Sequence, residues 1–126
     1  MKERRRYPRL EVELPLDIVL SDGAVLAAKA INICINGLQL SCDHATALRL
    51  VPKGYLAKPG QQIGGVLRLE LPFVTQPSAT IEIHCKVVNL RRLSANEYRF
   101  NVAFLGPEGQ AHRLLESFID ERTRRP

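Results

Sequence analysis

Between Leu10 and Leu20 every second residue is apolar: Leu10, Val12, Leu14, Leu16, Ile18 and Leu20 alternate with Glu11, Glu13, Pro15, Asp17 and Val19. Side chains of a strand point to opposite faces in turn, so a period of two describes a long strand with one face in a core and the other in water. Pro15 has no backbone donor to offer, which places it at an edge or a bulge where the ladder does not need one. A strand of this length needs partners, and the chain supplies them. Ser21-Asp22-Gly23 reads as a hairpin turn. Further strands are expected over 25–31, 38–42, 66–71, 79–90 and 98–104, with connections at 72–78 and 93–96. Six strands joined by turns point to a closed or split antiparallel β-barrel rather than an open sheet.

Two segments break the strand pattern. Between His44 and Gly65 the periodicity fades among Pro52, Gly54, Pro59, Gly60, Gly64 and Gly65, which implies a long loop with one helical turn near 45–51. After Gly106-Pro107-Glu108, an expected helix start, Ala111, Leu114, Leu115, Phe118 and Ile119 form one apolar stripe at helical spacing. A helix over about 107–122 therefore covers an open face of the barrel. The whole is all-β with a C-terminal helix, in one domain, since 126 residues suffice for a single core.

The charge is unevenly placed. Of the formal net charge of +5, residues 1–9 carry +4 and residues 122–126 carry +3, which leaves residues 10–121 at −2. A barrel that binds single-stranded nucleic acid would spread basic residues and exposed aromatics over the fold itself, and this chain has three Tyr, four Phe and no Trp. The distribution describes a basic arm, residues 1–9, on a nearly neutral body, 10–126. Cys34, Cys42 and Cys85 are odd in number and lack CxxC spacing, so a disulfide framework is not expected and a reducing, cytoplasmic setting is. No stretch reaches the roughly 20 apolar residues of a membrane span, so no membrane insertion is expected.

The arm contains Arg5-Arg6-Tyr7-Pro8-Arg9, an RxxxR spacing. A guanidinium is a planar fork of donors, always charged, that grips a phosphate or the O6/N7 edge of guanine through paired bonds. Pro8 favours an extended segment, in which Arg5 and Arg9 share a face. Two strands later comes Asn32-Ile33-Cys34-Ile35-Asn36-Gly37. Read as a turn, it offers the donor and acceptor of the Asn32 amide to a base edge, a weakly polar thiol at Cys34, and at Gly37 a residue free to take positive φ.

RxxxR followed after a strand pair by [DN]xSxxG resembles the signature of PilZ domains, bacterial receptors for cyclic di-GMP. The resemblance covers nearly the whole chain and agrees with its strand count and terminal helix. It departs at Cys34, where the family usually has serine. The resemblance implies a stand-alone cyclic di-GMP receptor with no other cofactor, whose ligand touches Arg4, Arg5, Arg6, Arg9, Asn32, Cys34 and Gly37. It further implies two stacked ligands per site, because a basic residue such as Arg4 just before the motif tends to accompany that arrangement. The arm, poor in apolar anchors, is expected to become ordered on ligand and to present a new surface to an effector protein in trans. The runner-up is an interaction protein of the same fold with weak or no nucleotide binding.

Catalytic chemistry is not legible. His44, His84 and His112 lack metal-ligand spacing, and no GxSxG, Walker loop or GxGxxG is present, so neither a metal site nor an enzyme is expected. Cys42 and Cys85 read as small core residues. Arg91 and Arg92 read as a solvated strand end within possible reach of the arm.

Overall fold

The computed structural model describes residues 9–53, 61–62, 65–106 and 109–123, with 61–62 given as backbone only. Its strands are β1 (Leu10–Leu20), β2 (Val25–Cys34), β3 (Gly37–Cys42), β4 (Gln61–Gln62), β5 (Gly65–Leu71), β6 (Ala79–Ile83), β7 (Cys85–Ser94) and β8 (Glu97–Phe104). Two helices are added, α1 (His44–Leu50) after β3 and α2 (Gln110–Thr123) after β8. The strands form one sheet in the order β4-β7-β8-β3-β2-β1-β5-β6, and every pairing is antiparallel.

The alternation of β1 does what its pattern requires. Leu16 and Ile18 are buried on the core face, and β1 pairs with β2 along one side and, from Leu16 to Leu20, with β5 along the other. Pro15 lies one residue outside the β1–β5 ladder and next to the register shift between Glu11 and Leu14, so its missing donor breaks no β1–β5 bond. The turn after β1 is local. Leu20 N–H donates to Ala24 O at 2.8 Å, Gly23 N–H to Leu20 O at 2.9 Å, and Ala24 N–H to the Asp22 carboxylate at 2.9 Å.

Among the described residues the strands number eight rather than six. The expected strand 79–90 is two strands, broken at His84, and β4 lies within the span expected to be loop. The break has a geometric reason. β6 pairs with β5 at one end of the sheet, whereas β7 pairs with β8 near the other. In a flat sheet six strand spacings, roughly 29 Å, would separate β6 from β7, yet the single residue His84 connects them. The sheet must therefore curl until its ends meet, which is barrel geometry. His84 O accepts from Leu105 N–H at 2.9 Å and so fastens this crossing to the end of β8.

The core lies inside the curl. Ile18, Ile33, Leu40, Leu67, Leu71, Val87 and Phe100 fill it, and Leu115 and Phe118 close it from α2. Phe73 meets the Phe118 ring edge-on at 5.8 Å, while the Arg122 guanidinium sits 4.7 Å over that ring and donates to Pro72 O at 2.8 Å. The apolar stripe of α2 is as expected, but its start is later than residue 107. Gly109 has φ +87°, outside helical space, so regular helix begins at Gln110, with Gly109 O accepting from Arg113 N–H at 3.1 Å. Pro107 and Glu108 lie outside the described residues.

The helical turn expected near 45–51 is α1, seven residues capped by Asp43, whose carboxylate accepts from Thr46 N–H at 2.8 Å. That bond holds the Asp43 carboxyl below the usual range. Cys42 and Cys85 are core residues as expected, and burial pushes both thiols up to about 12.

Candidate functional site

The 32–37 segment is not a six-residue turn. Asn32, Ile33 and Cys34 complete β2, Ile35 and Asn36 alone make the turn, and Gly37 opens β3. β2 thus runs three residues past the expected end at 31, because Cys34 still pairs with Gly37 and Asn32 with Gln39. Gly37 also has a reason other than positive φ, which the chain shows only at Gly23, Gly106 and Gly109 among the described residues. A Cβ on Gly37 would come within 2.2 Å of the Val102 carbonyl oxygen and 3.2 Å of Ala103 Cα. The requirement is for room. β8 passes so close to the hairpin that only a hydrogen fits, and Phe104 N–H donates to Asn36 O at 2.8 Å across the gap.

This close approach forms one wall of a cleft of about 280 Å³ on the outer side of the sheet. Arg9 enters from the residue before β1, Asn32 and Cys34 from β2, Asn36 from the turn, and Gly37 and Leu38 from β3. The opposite side is built by Val88 of β7 and by Asn101, Val102 and Ala103 of β8. Register explains the convergence of arm and hairpin. Leu10 pairs with Ile33, so one step outward Arg9 comes level with Cys34.

On the same face of the sheet, the pairings Asn32 with Gln39, Gln39 with Asn101, and Asn101 with Asn89 put four amide side chains in one row over β2, β3, β8 and β7, of which Asn32 and Asn101 line the cleft. They bond in two couples. Asn32 Nδ2 donates to Gln39 Oε1 at 3.1 Å, and Asn101 Nδ2 donates to Asn89 Oδ1 at 3.0 Å. Val88 is an extra residue in β7, set in the register shift between Val87 and Asn89, and its side chain is 50% exposed. A bulge of this kind turns a side chain away from its regular direction.

No carboxylate lines this cleft among the described residues. Two other concavities, of about 250 and 380 Å³, are lined by Asp17 and Glu70 and by Asp120 and Glu121 respectively. Carboxylates in a wall repel a phosphate, so of these three concavities the cleft at Arg9 best suits a dianion with a hydrogen-bonding base.

Of the residues singled out in the sequence, Arg9, Asn32, Cys34 and Gly37 meet at this cleft, while Arg4, Arg5 and Arg6 lie outside the described residues. Arg91 and Arg92 do not line it. Arg92 donates to Ser94 O at 3.1 Å and Ala95 O at 3.0 Å and lies 5.2 Å over the Tyr98 ring, tied into the β7–β8 turn. The sequence reading missed Asn36, Val88 and Asn101. The alternation of Tyr98, Phe100, Val102 and Phe104 already assigns Asn101 to the outward face. Nothing in the sequence alone says that this face lies beside Asn32. Among the described residues no group of three or more His, Cys, Asp or Glu side chains could hold a metal ion. No helix among them is long and apolar enough to cross a membrane.

The family model for the PilZ domain matches residues 3–121. No curated protein sequence matches the chain. Among solved structures, the Bacillus subtilis inhibitor of motility MotI/DgrA superposes with a TM-score of 0.69 at 17% identity, covering 98% of this chain and 55% of that one. The PilZ domain of Escherichia coli YcgR with c-di-GMP gives 0.62 at 13% identity, covering 96% and 93%. The K. pneumonia MrkH complex with c-di-GMP gives 0.69 at 17% identity, covering 97% and 53%. At these identities the likeness is one of fold, and the chain spans about half the length of MotI/DgrA and MrkH.

Proposed function

This chain belongs to the PilZ domain family, and on that premise we propose that it is a receptor for cyclic di-GMP. The observation that carries the reading is the meeting of Arg9 with Asn32, Cys34 and Gly37 around one cleft without a carboxylate. Phosphate needs charge neutralisation and guanine needs a hydrogen-bonding edge, and this cleft offers both within one ligand's reach. Two solved relatives in fold, YcgR and MrkH, are complexes with c-di-GMP.

In this proposal Arg5 and Arg9 clasp phosphate or a guanine edge, and Arg4 and Arg6 add the charge that lets two stacked ligands, with four phosphates, share the site. Residues 1–9 order on the ligand and present a new surface to an effector protein, so the signal passes in trans. Calorimetric titration with cyclic di-GMP, GMP and a short oligonucleotide tests the assignment. Saturable binding of cyclic di-GMP alone is expected, with two ligands per chain, one in Arg4→Leu, and weaker binding as salt rises. Binding of the oligonucleotide in preference to cyclic di-GMP overturns it. One observation favours a second reading, a protein-interaction module with weak nucleotide affinity. Cys34 puts a thiol, a poor donor and acceptor, where the family places a hydroxyl. In that case cyclic di-GMP binding is weak, without saturation in the titration, or is not seen.

A further inference from the structure

We infer that Asn101, oriented by Asn89 and flanked by Val88, reads the donor edge of a guanine from the side of the cleft opposite the arginines, and so sets the preference for guanine over adenine. The inference rests on the proposed ligand and adds residues from β7 and β8, outside both sequence motifs.

Three observations carry it. Asn101 lines the same cleft as Asn32 although the two belong to strands separated by β3. Its carboxamide is held in one orientation, because Nδ2 is engaged by Asn89 Oδ1 at 3.0 Å. The opposite atom, Oδ1, accepts no bond among the described residues. Asn32 is held in the same sense by Gln39. Each amide has thus committed one of its two Nδ2 hydrogens along the row, and its oxygen is left to accept from a ligand. Finally, the bulge sets Val88 into the cleft wall half-exposed, an apolar surface on which a purine face can rest.

Such a wall discriminates between purines. The Watson–Crick edge of guanine carries two neighbouring donors, N1–H and the 2-amino group, which match acceptor oxygens. Adenine has an unprotonated N1 and no 2-amino group; its one donor on that edge, the 6-amino group, can pair one of those oxygens, and the other is left unpaired in a partly desolvated site. A site built to hydrogen-bond one ligand rejects an analogue lacking the group more strongly than an apolar site can. Asn101 Oδ1 is assigned the 2-amino donor, and Asn89 acts as the positioning residue.

The test compares cyclic di-GMP, cyclic di-AMP and cyclic di-IMP, which lacks only the 2-amino group, by calorimetry on the unaltered chain, Asn101→Ala and Asn89→Ala. The unaltered chain is expected to bind cyclic di-GMP about tenfold more tightly than cyclic di-IMP. Asn101→Ala removes that difference while leaving cyclic di-IMP binding nearly unchanged, and Asn89→Ala reduces it by about threefold. If the unaltered chain binds cyclic di-GMP and cyclic di-IMP equally, or Asn101→Ala folds and keeps the difference, the inference fails while the receptor assignment stands. If Asn101→Ala does not fold, Asn89→Ala decides, and an unchanged ratio there overturns the inference. Failure of the unaltered chain to bind any of the three overturns the receptor assignment and the inference with it.

Discussion

The two turns that flank β2 solve the same geometric problem by opposite means. The β1–β2 turn is closed by its own atoms: Asp22 caps Ala24, and Leu20 and Gly23 bond within the loop. Gly23 takes φ +93°, yet a Cβ there would touch nothing within 4 Å. At the β2–β3 turn Gly37 needs no such φ but has no space, and the bond that holds Asn36 comes from Phe104 on another strand. One glycine serves conformation, the other proximity. The contrast teaches that the first turn could be transplanted, whereas the second exists only in the finished barrel, beside the cleft.

The sharpest way to break this contrast is Gly37→Ala. The new methyl meets backbone rather than a movable side chain, so a loss of about 3 kcal/mol in unfolding free energy is expected, with loss of cyclic di-GMP binding. Chemical denaturation checks it, and a loss under 1 kcal/mol would show that β8 can retreat. Arg9→Ala comes next. It should leave stability unchanged and weaken cyclic di-GMP by about tenfold to a hundredfold, the worth of roughly 1.5 to 3 kcal/mol for a charge-assisted bond. Unaltered affinity in Arg9→Ala and Arg5→Ala alike would end the arginine clasp.

Gly23→Ala is the control for Gly37. Only conformational preference opposes it, so about 1 kcal/mol of stability is lost and ligand affinity stays as it was. Gly23→Asn should cost less, since asparagine tolerates the left-handed region, whereas Gly37→Asn should be at least as damaging as Gly37→Ala. The smallest effect is expected for Cys34→Ser, which places a hydroxyl at the cleft. Affinity should improve by about 0.5 to 1.5 kcal/mol. A fall in melting temperature with no gain in binding would instead mark Cys34 as a packing residue.

The same contrast explains what the sequence disclosed. β1 and the stripe of α2 were legible because a period of two and a period of three to four are set by the chain's own geometry. The turn at Asp22 was legible because its bonds are local. The true extent of β2, the reason for Gly37 and the break at His84 were not, because each depends on a strand distant in sequence. Half of the cleft shares that fate. Arg9, Asn32 and Cys34 stand in recognisable motifs, but Asn101 and Val88 reach the site only through register, and a bulge at Val88 leaves no mark on hydrophobic patterning.

His84, the lone residue between β6 and β7, leaves the barrel no slack. The cleft wall that carries Val88 and the strand beneath α2 are covalent neighbours, so neither end of the sheet can open without pulling on the other. Such a molecule melts as a unit. A ligand seated in the cleft then stabilises every strand by mass action, about 2.7 kcal/mol at a hundred times its dissociation constant. Occupancy becomes legible as a thermal shift far from the cleft, in the exchange of amide hydrogens on β6 and α2.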